Sequence, residues 1–171
     1  MVKVLTVCSY VLQVLPTGPK LRMERNMCTK HLTMKLDLHE YELCGISFLL
    51  KSCPMLECLT LQLGLGRNLP DDEEVIKSND DERIWFNNLP AHECLRSTLR
   101  FVEVKNFVGT GKELNFLYYL IRCGKVLENI NVYVKKGEAI DNEDMAFYCK
   151  KEKFLMMTDR ASDRLQISFY Y

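Results

Sequence analysis

"FLLKSCPMLECLTLQL" (residues 48–63) and "YLIRCGKVLENINVYV" (residues 119–134) are two copies of one pattern. Each copy reads as the end of a helix, a short turn and a strand. The Leu-Glu dipeptide at 56–57 aligns with the one at 127–128, and alternating apolar residues follow in both copies. Such internal similarity is the mark of a repeated supersecondary unit. The chain is therefore expected to be built from strand–helix units that stack on one another.

Period-two alternation predicts half-buried strands outside the two copies as well. The clearest segments are 32–38, 59–63, 101–107 and 130–134, and weaker candidates lie at 2–7 and 165–169. The alternation assigns one set of side chains to the core: Leu32, Met34, Leu36, Leu59, Leu61, Leu63, Val102, Val104, Ile130 and Val132. It assigns the other set to the opposite face of the sheet: Lys35, Asp37, Thr60, Gln62, Glu103, Lys105, Asn131 and Tyr133.

Between these strands lie segments in which apolar residues recur at helical spacing. Apolar residues at 46, 49, 50 and 53 share one helical face, and Pro54 stops that helix. A further helix is expected over 142–161. Strands that alternate with helices imply a parallel sheet with the helices on one side, that is, an α/β solenoid of unequal units.

The segment Gly109–Lys112 invites comparison with a phosphate-binding loop. That loop requires G-x-x-x-x-G-K-[ST], but Asn106 stands where the first glycine belongs and Glu113 follows the lysine. Nucleotide binding is therefore not expected here.

Thr110 and Glu113 instead have the T-x-x-E spacing of a capping box, in which the two residues satisfy each other's backbone N–H groups. Apolar residues at 114, 117, 118 and 121 then recur at helical spacing. Gly124 is expected to end this helix as a left-handed C-cap.

Charge and length limit the possible partners. The chain has 171 residues, with 23 basic and 23 acidic side chains and a net charge of zero. This balance disfavours nucleic acid or an anionic membrane as the main partner. The acidic stretch 69–82 lacks the spacing of a calcium loop and is interpreted as a solvated excursion.

The eight cysteines form no C-x-x-C pair and stand at no zinc-like spacing from the three histidines. No metal and no cofactor is therefore expected. No signal peptide or stretch of about 20 apolar residues is found, so reduced thiols and a cytoplasmic or nuclear location are expected.

Residues 56–61 fit L-x-x-L-x-L, the strand core of a leucine-rich repeat, and residues 127–132 fit it with Ile and Val substituted. The stretch from residue 85 to residue 134 resembles the FBD domain of plant F-box/leucine-rich-repeat proteins. The matching positions are Trp85, Pro90, Cys94, Leu95, Leu99, Val102, Val104, Phe107, Gly109, Thr110, Glu113, Leu114, Tyr119, Leu120, Val126, Leu127 and Val132. Residues 122–124 are Arg-Cys-Gly, whereas the family more often has Asn-Ala at the second and third of these positions.

The resemblance implies an irregular, leucine-rich-repeat-like α/β solenoid in four parts. A repeat-like region is expected over 1–70, an acidic loop over 71–84 and the FBD domain over 85–134. A C-terminal helix and strand over 135–171 would complete the FBD region.

In this family an F-box docks the Skp-type adaptor of a cullin-based ubiquitin ligase, and the repeats hold the target. The sequence shows no F-box, so the resemblance implies a target-recognition module without its ligase coupling. The alternative is a truncated, non-functional or decoy gene product. No catalytic residues are expected, because no hydrolase, zinc-protease or nucleotide motif occurs and the nearby His92 and Cys94 have no orienting partner.

Partner contacts are expected from the outward set, namely Lys35, Asp37, Thr60, Gln62, Glu103, Lys105, Asn131 and Tyr133. An unknown target protein, and neither nucleic acid nor a membrane, is the expected partner. The oligomeric state stays open.

The first prediction concerns the adaptor. Because the sequence shows no F-box, this chain is expected not to bind a Skp-type adaptor. Co-expression of the two proteins followed by size-exclusion chromatography checks this, and a stoichiometric complex would contradict it.

Overall fold

A computed structural model describes residues 3–15, 26–64, 91–135 and 142–171. The acidic stretch 69–82, Trp85 and Pro90 lie outside these residues, so the interpretation of the acidic stretch is not tested. In the described part, each of six strands pairs in parallel with the next strand in the chain, and the sheet order is β1-β2-β3-β4-β5-β6.

The strands are β1 Val4–Cys8, β2 His31–Leu36, β3 Cys58–Leu63, β4 Phe101–Phe107, β5 Asn129–Val134 and β6 Gln166–Tyr170. The helices are α1 Ser9–Val14, α2 Glu40–Ser52, α3 Glu93–Ser97, α4 Gly111–Cys123 and α5 Asn142–Met156. The predicted α/β class is confirmed, and the predicted strands and main helices are found with shifts at their ends. Helices α1 and α3 were not predicted, because two turns or fewer give no readable period.

Parallel strands in chain order require a crossover between every pair, and right-handed crossovers place the connecting helices on one side of the sheet. Burial agrees with this arrangement. Every strand residue assigned to the core is at most 2% exposed and packs in one cluster with apolar residues of α1, α2, α4 and α5. The hydrophobic core thus lies between the sheet and the helices.

The capping box at the start of α4 is confirmed. The backbone N–H of Glu113 donates to the Thr110 hydroxyl at 3.3 Å. In return, Glu113 Oε2 accepts three backbone N–H groups, from Val108 at 3.1 Å, Gly109 at 2.6 Å and Thr110 at 3.1 Å. The carboxylate is almost fully buried. This one side chain therefore fixes the whole turn between β4 and α4.

A glutamate carboxylate also accepts backbone N–H groups of the strand-to-helix turn in the first copy of the repeat. Glu42 Oε2 accepts N–H groups from Asp37 at 3.1 Å and His39 at 2.9 Å. The offset that aligns the two quoted stretches also aligns Glu42 with Glu113. It aligns Leu38 with Gly109 too, and both have positive φ values, 60° and 84°. The internal repeat therefore extends from the strands through the strand-to-helix turns.

Gly124 is required for its size and not for a left-handed backbone. Its φ is −81°, so the predicted left-handed C-cap is wrong. A Cβ at this position would lie 2.2 Å from Leu127 Cδ1 and 2.7 Å from the Leu120 carbonyl oxygen. The chain turns tightly over α4 here, and no side chain fits between the helix end and Leu127.

Helix α5 ends at Met156 and not at Ala161 as predicted. Beyond its end, the Arg160 guanidinium donates to the Leu165 carbonyl at 2.7 Å, and the Ala161 N–H donates to the Ile121 carbonyl at 3.1 Å. These bonds tie the segment to β6 and α4 and draw it away from the helix axis.

A bulge interrupts the pairing of β4 with β5. Val104 pairs with Val132, but the next pair is Phe107 with Val134. Asn106 takes a φ of 61° in the bulge and donates from Nδ2 to the Leu63 carbonyl at 3.1 Å. The extra residue turns Phe107 into the core, where its ring meets Phe169 edge-on at 5.8 Å.

His92 is a buried histidine of the core. It precedes α3, is 4% exposed and lies edge-on to Tyr119 at 6.4 Å. Its Nε2 lies 3.4 Å from the Ser47 hydroxyl. Burial, helped by the charge of Lys51, lowers the pKa of His92 from 6.5 to about 4.

The capping box gives the second prediction. Thr110→Ala is expected to lower the free energy of unfolding by ~1 kcal/mol through loss of the N-cap bond. Lys112→Ala is expected to leave it nearly unchanged, and neither variant is expected to alter nucleotide binding. Urea denaturation and ATP titration check this. ATP binding that disappears in Lys112→Ala would contradict it.

The third prediction concerns His92 and pH. Between about pH 4 and about pH 6.5 the unfolded state binds a proton at His92 that the folded state does not. Stability is therefore expected to rise with pH across this window, by up to about 1.4 kcal/mol per unit from this residue. His92→Gln is expected to flatten that slope in urea denaturation at several pH values. Equal slopes in the two proteins would refute the assignment.

Candidate partner-binding face

One face of the sheet points away from the helices, and we call it the open face. The strand register arranges its eighteen side chains in three rows that cross the strands. The amino row is Val4, His31, Cys58, Phe101, Asn129 and Gln166. The middle row is Thr6, Thr33, Thr60, Glu103, Asn131 and Ser168. The carboxyl row is Cys8, Lys35, Gln62, Lys105, Tyr133 and Tyr170. Neighbours within a row lie on strands ~4.8 Å apart.

The register brings most of the predicted contact residues together. Lys35, Gln62 and Lys105 are direct neighbours in the carboxyl row, and Thr60, Glu103 and Asn131 are neighbours in the middle row. Tyr133 lies on β5 opposite the bulge of β4. All of these except Thr60 are half-buried.

Asp37 lies just beyond the end of β2, outside the rows. It lines a cleft of about 390 Å³ at the carboxyl ends of β2, β3 and β4, together with Gly64, Val108 and the first turn of α4. The prediction that placed Asp37 on the outward side is compatible with this position. Its carboxylate is a rim group of the open face.

Thr60 lies on the open face but is only 5% exposed. It sits on a central strand, and His31 from the neighbouring strand covers it, with Nε2 2.9 Å from the Thr60 hydroxyl. Its side chain holds His31 in place and offers little surface of its own.

Tyr170 is the part of the face that the sequence analysis missed. It pairs with Tyr133, and the two rings stack with centroids 4.7 Å apart and planes 14° apart. Tyr170 remains 47% exposed. The predicted strand stopped at Phe169, one residue short, although the alternation of 166, 168 and 170 continues into Tyr170.

The open face carries few charges. Only Lys35, Glu103 and Lys105 among its eighteen side chains are acidic or basic, whereas 27% of the whole chain is charged. The remainder are hydroxyl, amide, thiol, imidazole and aromatic groups, apart from the aliphatic Val4 in the amino row. Glu103 and Lys105 form an exposed ion pair at 3.4 Å.

Charged residues border the amino row instead. Lys30 pairs with Glu57, and Arg100 pairs with Glu128, each at 2.5 Å. All four residues directly precede the strands β2 to β5. A weakly charged centre beside a charged rim is the usual composition of a protein interface.

In the turn before α4, three backbone amides are occupied by the protein itself. The N–H groups of Val108, Gly109 and Thr110 all donate to Glu113. Burial raises the pKa of the Glu113 carboxyl, while these three donors oppose that shift. The protein's own carboxylate therefore occupies three amides of this turn, and the side chain that follows Lys112 is an acid where a phosphate-binding loop has Ser or Thr.

Within the described ranges, no group of three or more His, Cys, Asp or Glu side chains is placed to hold a metal ion. All eight cysteines are free thiols. Across the same residues, no helix is both long and apolar enough to cross a membrane.

Comparison with known proteins supplies the family. The family model FBD matches residues 89–132. The F-box protein At3g62230 of Arabidopsis thaliana is 39% identical over 136 residues, which cover 79% of this chain and 29% of that protein. The putative F-box/LRR-repeat protein At5g54820 is 34% identical over 168 residues, covering 95% of this chain and 34% of that protein.

This chain belongs to the plant F-box/LRR-repeat/FBD family. A further member, the putative F-box/LRR-repeat protein At1g56400 of Arabidopsis thaliana, is 30% identical over 98% of the chain and 36% of its own length. The resemblance inferred from the sequence motifs is thereby confirmed. The chain spans about a third of the length of these relatives. No solved structure matches it.

Most of the residues matched by the FBD family model belong to α3, β4, α4 and β5. This stretch includes Glu103, Lys105 and Asn131 of the open face and the carboxylate turn at Glu113. The family region and the candidate face therefore share the strands β4 and β5.

Proposed function

We propose that this chain is a protein-interaction module that holds a protein partner on its open face. The observation that carries the proposal is the face itself: three rows of side chains, few charges and a stacked tyrosine pair, beside a charged rim. In the described part of the chain no helix covers this face, because the crossovers place the helices on the other side of the sheet.

The chemistry of the face supports a protein partner. Aromatic residues are enriched at interface hot spots and charged residues are depleted at interface centres. Tyr133 and Tyr170 are already stacked in the free protein, so their ordering adds little entropic cost on binding. Only two cations lie on the face, which is too few to neutralise the closely spaced phosphates of a nucleic acid.

The family relation suggests the context of this interaction. The relatives bear F-box names, and we propose that the present region recognises a target for a ubiquitin ligase of the F-box type. In this proposal the residues described here carry target recognition and do not dock the adaptor. A cytoplasmic or nuclear location belongs to the same proposal.

Burial argues against a role for His92 and Cys94 in catalysis. Both side chains are at most 4% exposed. Burial lowers the pKa of His92 to about 4 and raises the pKa of Cys94 to about 12. A thiol with so high a pKa stays protonated and is a poor nucleophile. These shifted groups belong to the core and support the interpretation as a binding module.

The fourth prediction tests the open face. Lys35, Lys105 and Tyr133 are changed together to Ala, and the folded variant is expected to lose capture of the partner from plant extract. Its melting temperature is expected to fall by a few degrees, because loss of an aromatic pair costs about 1 kcal/mol.

A matched control changes Lys150, Lys153 and Tyr41 to Ala. These exposed residues are of the same types but lie on α5 and α2, on the helix side. The control is expected to keep capture. Undiminished capture by the folded test variant would mean that the partner binds elsewhere.

A further inference from the structure

The carboxyl row of the open face is a row of hydrogen-bond donors. From β2 to β6, the row consists of Lys35, Gln62, Lys105, Tyr133 and Tyr170. Each of these side chains carries an N–H or O–H donor. No carboxylate belongs to this row. The one acid elsewhere on the face, Glu103, lies in the middle row.

The two lysines of this row have few charge or hydrogen-bond partners among the described residues. Across the described residues, Lys35 has neither a hydrogen bond nor an ion pair. Lys105 has the Glu103 carboxylate at 3.4 Å, and these side chains are 45% and 38% exposed. A long, exposed ion pair of this kind is weak, so an incoming carboxylate can replace it.

The spacing of the donors fits an extended segment. Lys35 and Lys105 are two strands apart, or roughly 10 Å. Tyr133, opposite the bulge of β4, and its partner Tyr170 follow on the next two strands. Alternate side chains of an extended peptide lie ~7 Å apart, and the flexible lysine stems span the remainder. The phenol hydroxyl groups can donate to the next acceptor along the segment.

Asp37 constrains the direction of such a segment. Asp37 follows Lys35 by two residues and lines the cleft at the carboxyl rim. The cleft is lined by two acids, Asp37 and Glu113, and by one lysine, Lys112, so it disfavours a further acidic group. An acidic segment is therefore favoured across the strands, over the row, and not along β2.

We propose that the carboxyl row binds an acidic, extended segment of the protein partner, with carboxylates at Lys35 and Lys105 and further acceptors at Tyr133 and Tyr170. This inference rests on the proposed function, since it specifies the partner of the same face. Charge complementarity between the donor row and the carboxylates is the argument for it.

The test uses fluorescence anisotropy with a short fluorescein-labelled peptide of alternating Glu and Ser, and a Lys/Ser peptide for comparison. The whole chain is expected to bind the acidic peptide and not the basic one. Affinity is expected to fall as salt rises from about 50 mM to about 500 mM, since exposed charges are then screened.

Two double variants with the same change in net charge isolate the row. Lys35→Gln with Lys105→Gln is expected to weaken binding of the acidic peptide about tenfold, from two exposed ion pairs. Lys150→Gln with Lys153→Gln, on α5, is expected to leave binding unchanged. Each substitution removes one charge and shortens the side chain by one atom, equally in both variants, and folding is checked by circular dichroism.

Three results would overturn the inference: no binding of the acidic peptide, equal weakening by both double variants, or equally tight binding of an RNA oligonucleotide through the same lysines. The last result would identify a general polyanion site. If the acidic peptide fails but the Lys35, Lys105 and Tyr133 triple variant still abolishes partner capture, the binding face stands and only the acidic segment is rejected.

Discussion

The structure depends on parallel pairing of each strand with the next one in the chain. The carbonyl of the residue before a strand accepts two N–H groups from the following unit: the Lys30 carbonyl takes those of Glu57 and Cys58 at 2.8 and 2.9 Å, and the Glu57 carbonyl takes those of Arg100 and Phe101 at 2.9 and 3.1 Å. This pattern leaves no place for a hairpin. Parallel neighbours require crossover connections, so the described helices and the core lie together on one side of the sheet, and no described helix covers the opposite face.

Two buried carboxylates hold the strand-to-helix turns of two of these crossovers, β2 to α2 and β4 to α4. A chain that leaves a parallel strand and enters a helix exposes several backbone N–H groups at once. Glu42 and Glu113 accept these groups in the two copies of the repeat, and a positive φ at Leu38 or Gly109 lets the amides converge. Because these carboxylates accept the N–H groups, the turns are stable without a ligand. The glycines and lysine of Gly109–Lys112 are therefore explained by the turn and the helix start that they form.

The sequence alone was sufficient for the strands, the main helices, the capping box and the side-chain assignment of the central strands, because period-two alternation and T-x-x-E spacing are local signals. The sequence was not sufficient for features that depend on contacts between residues far apart in the chain. Leu127 leaves no room for a side chain at Gly124, His31 covers Thr60 from the neighbouring strand, and Asn106 in the bulge bonds to the Leu63 carbonyl.

Of the candidate face, the outward residues could be predicted one strand at a time. The Tyr133–Tyr170 stack could not, because it requires the pairing of β5 with β6.

The central claim is that the open face, and not the helix side, holds the partner. Site-specific photo-crosslinking tests it most directly, with benzoylphenylalanine placed either at Gln62 in the carboxyl row or at Tyr41, which is 72% exposed on α2. Both proteins are irradiated with the same plant extract. Position 62 is expected to give a crosslinked protein that disappears when Lys35, Lys105 and Tyr133 are changed to Ala, and position 41 is expected to give no such product. The same product from position 41, or its persistence in the substituted protein, would show that the partner does not bind on the open face.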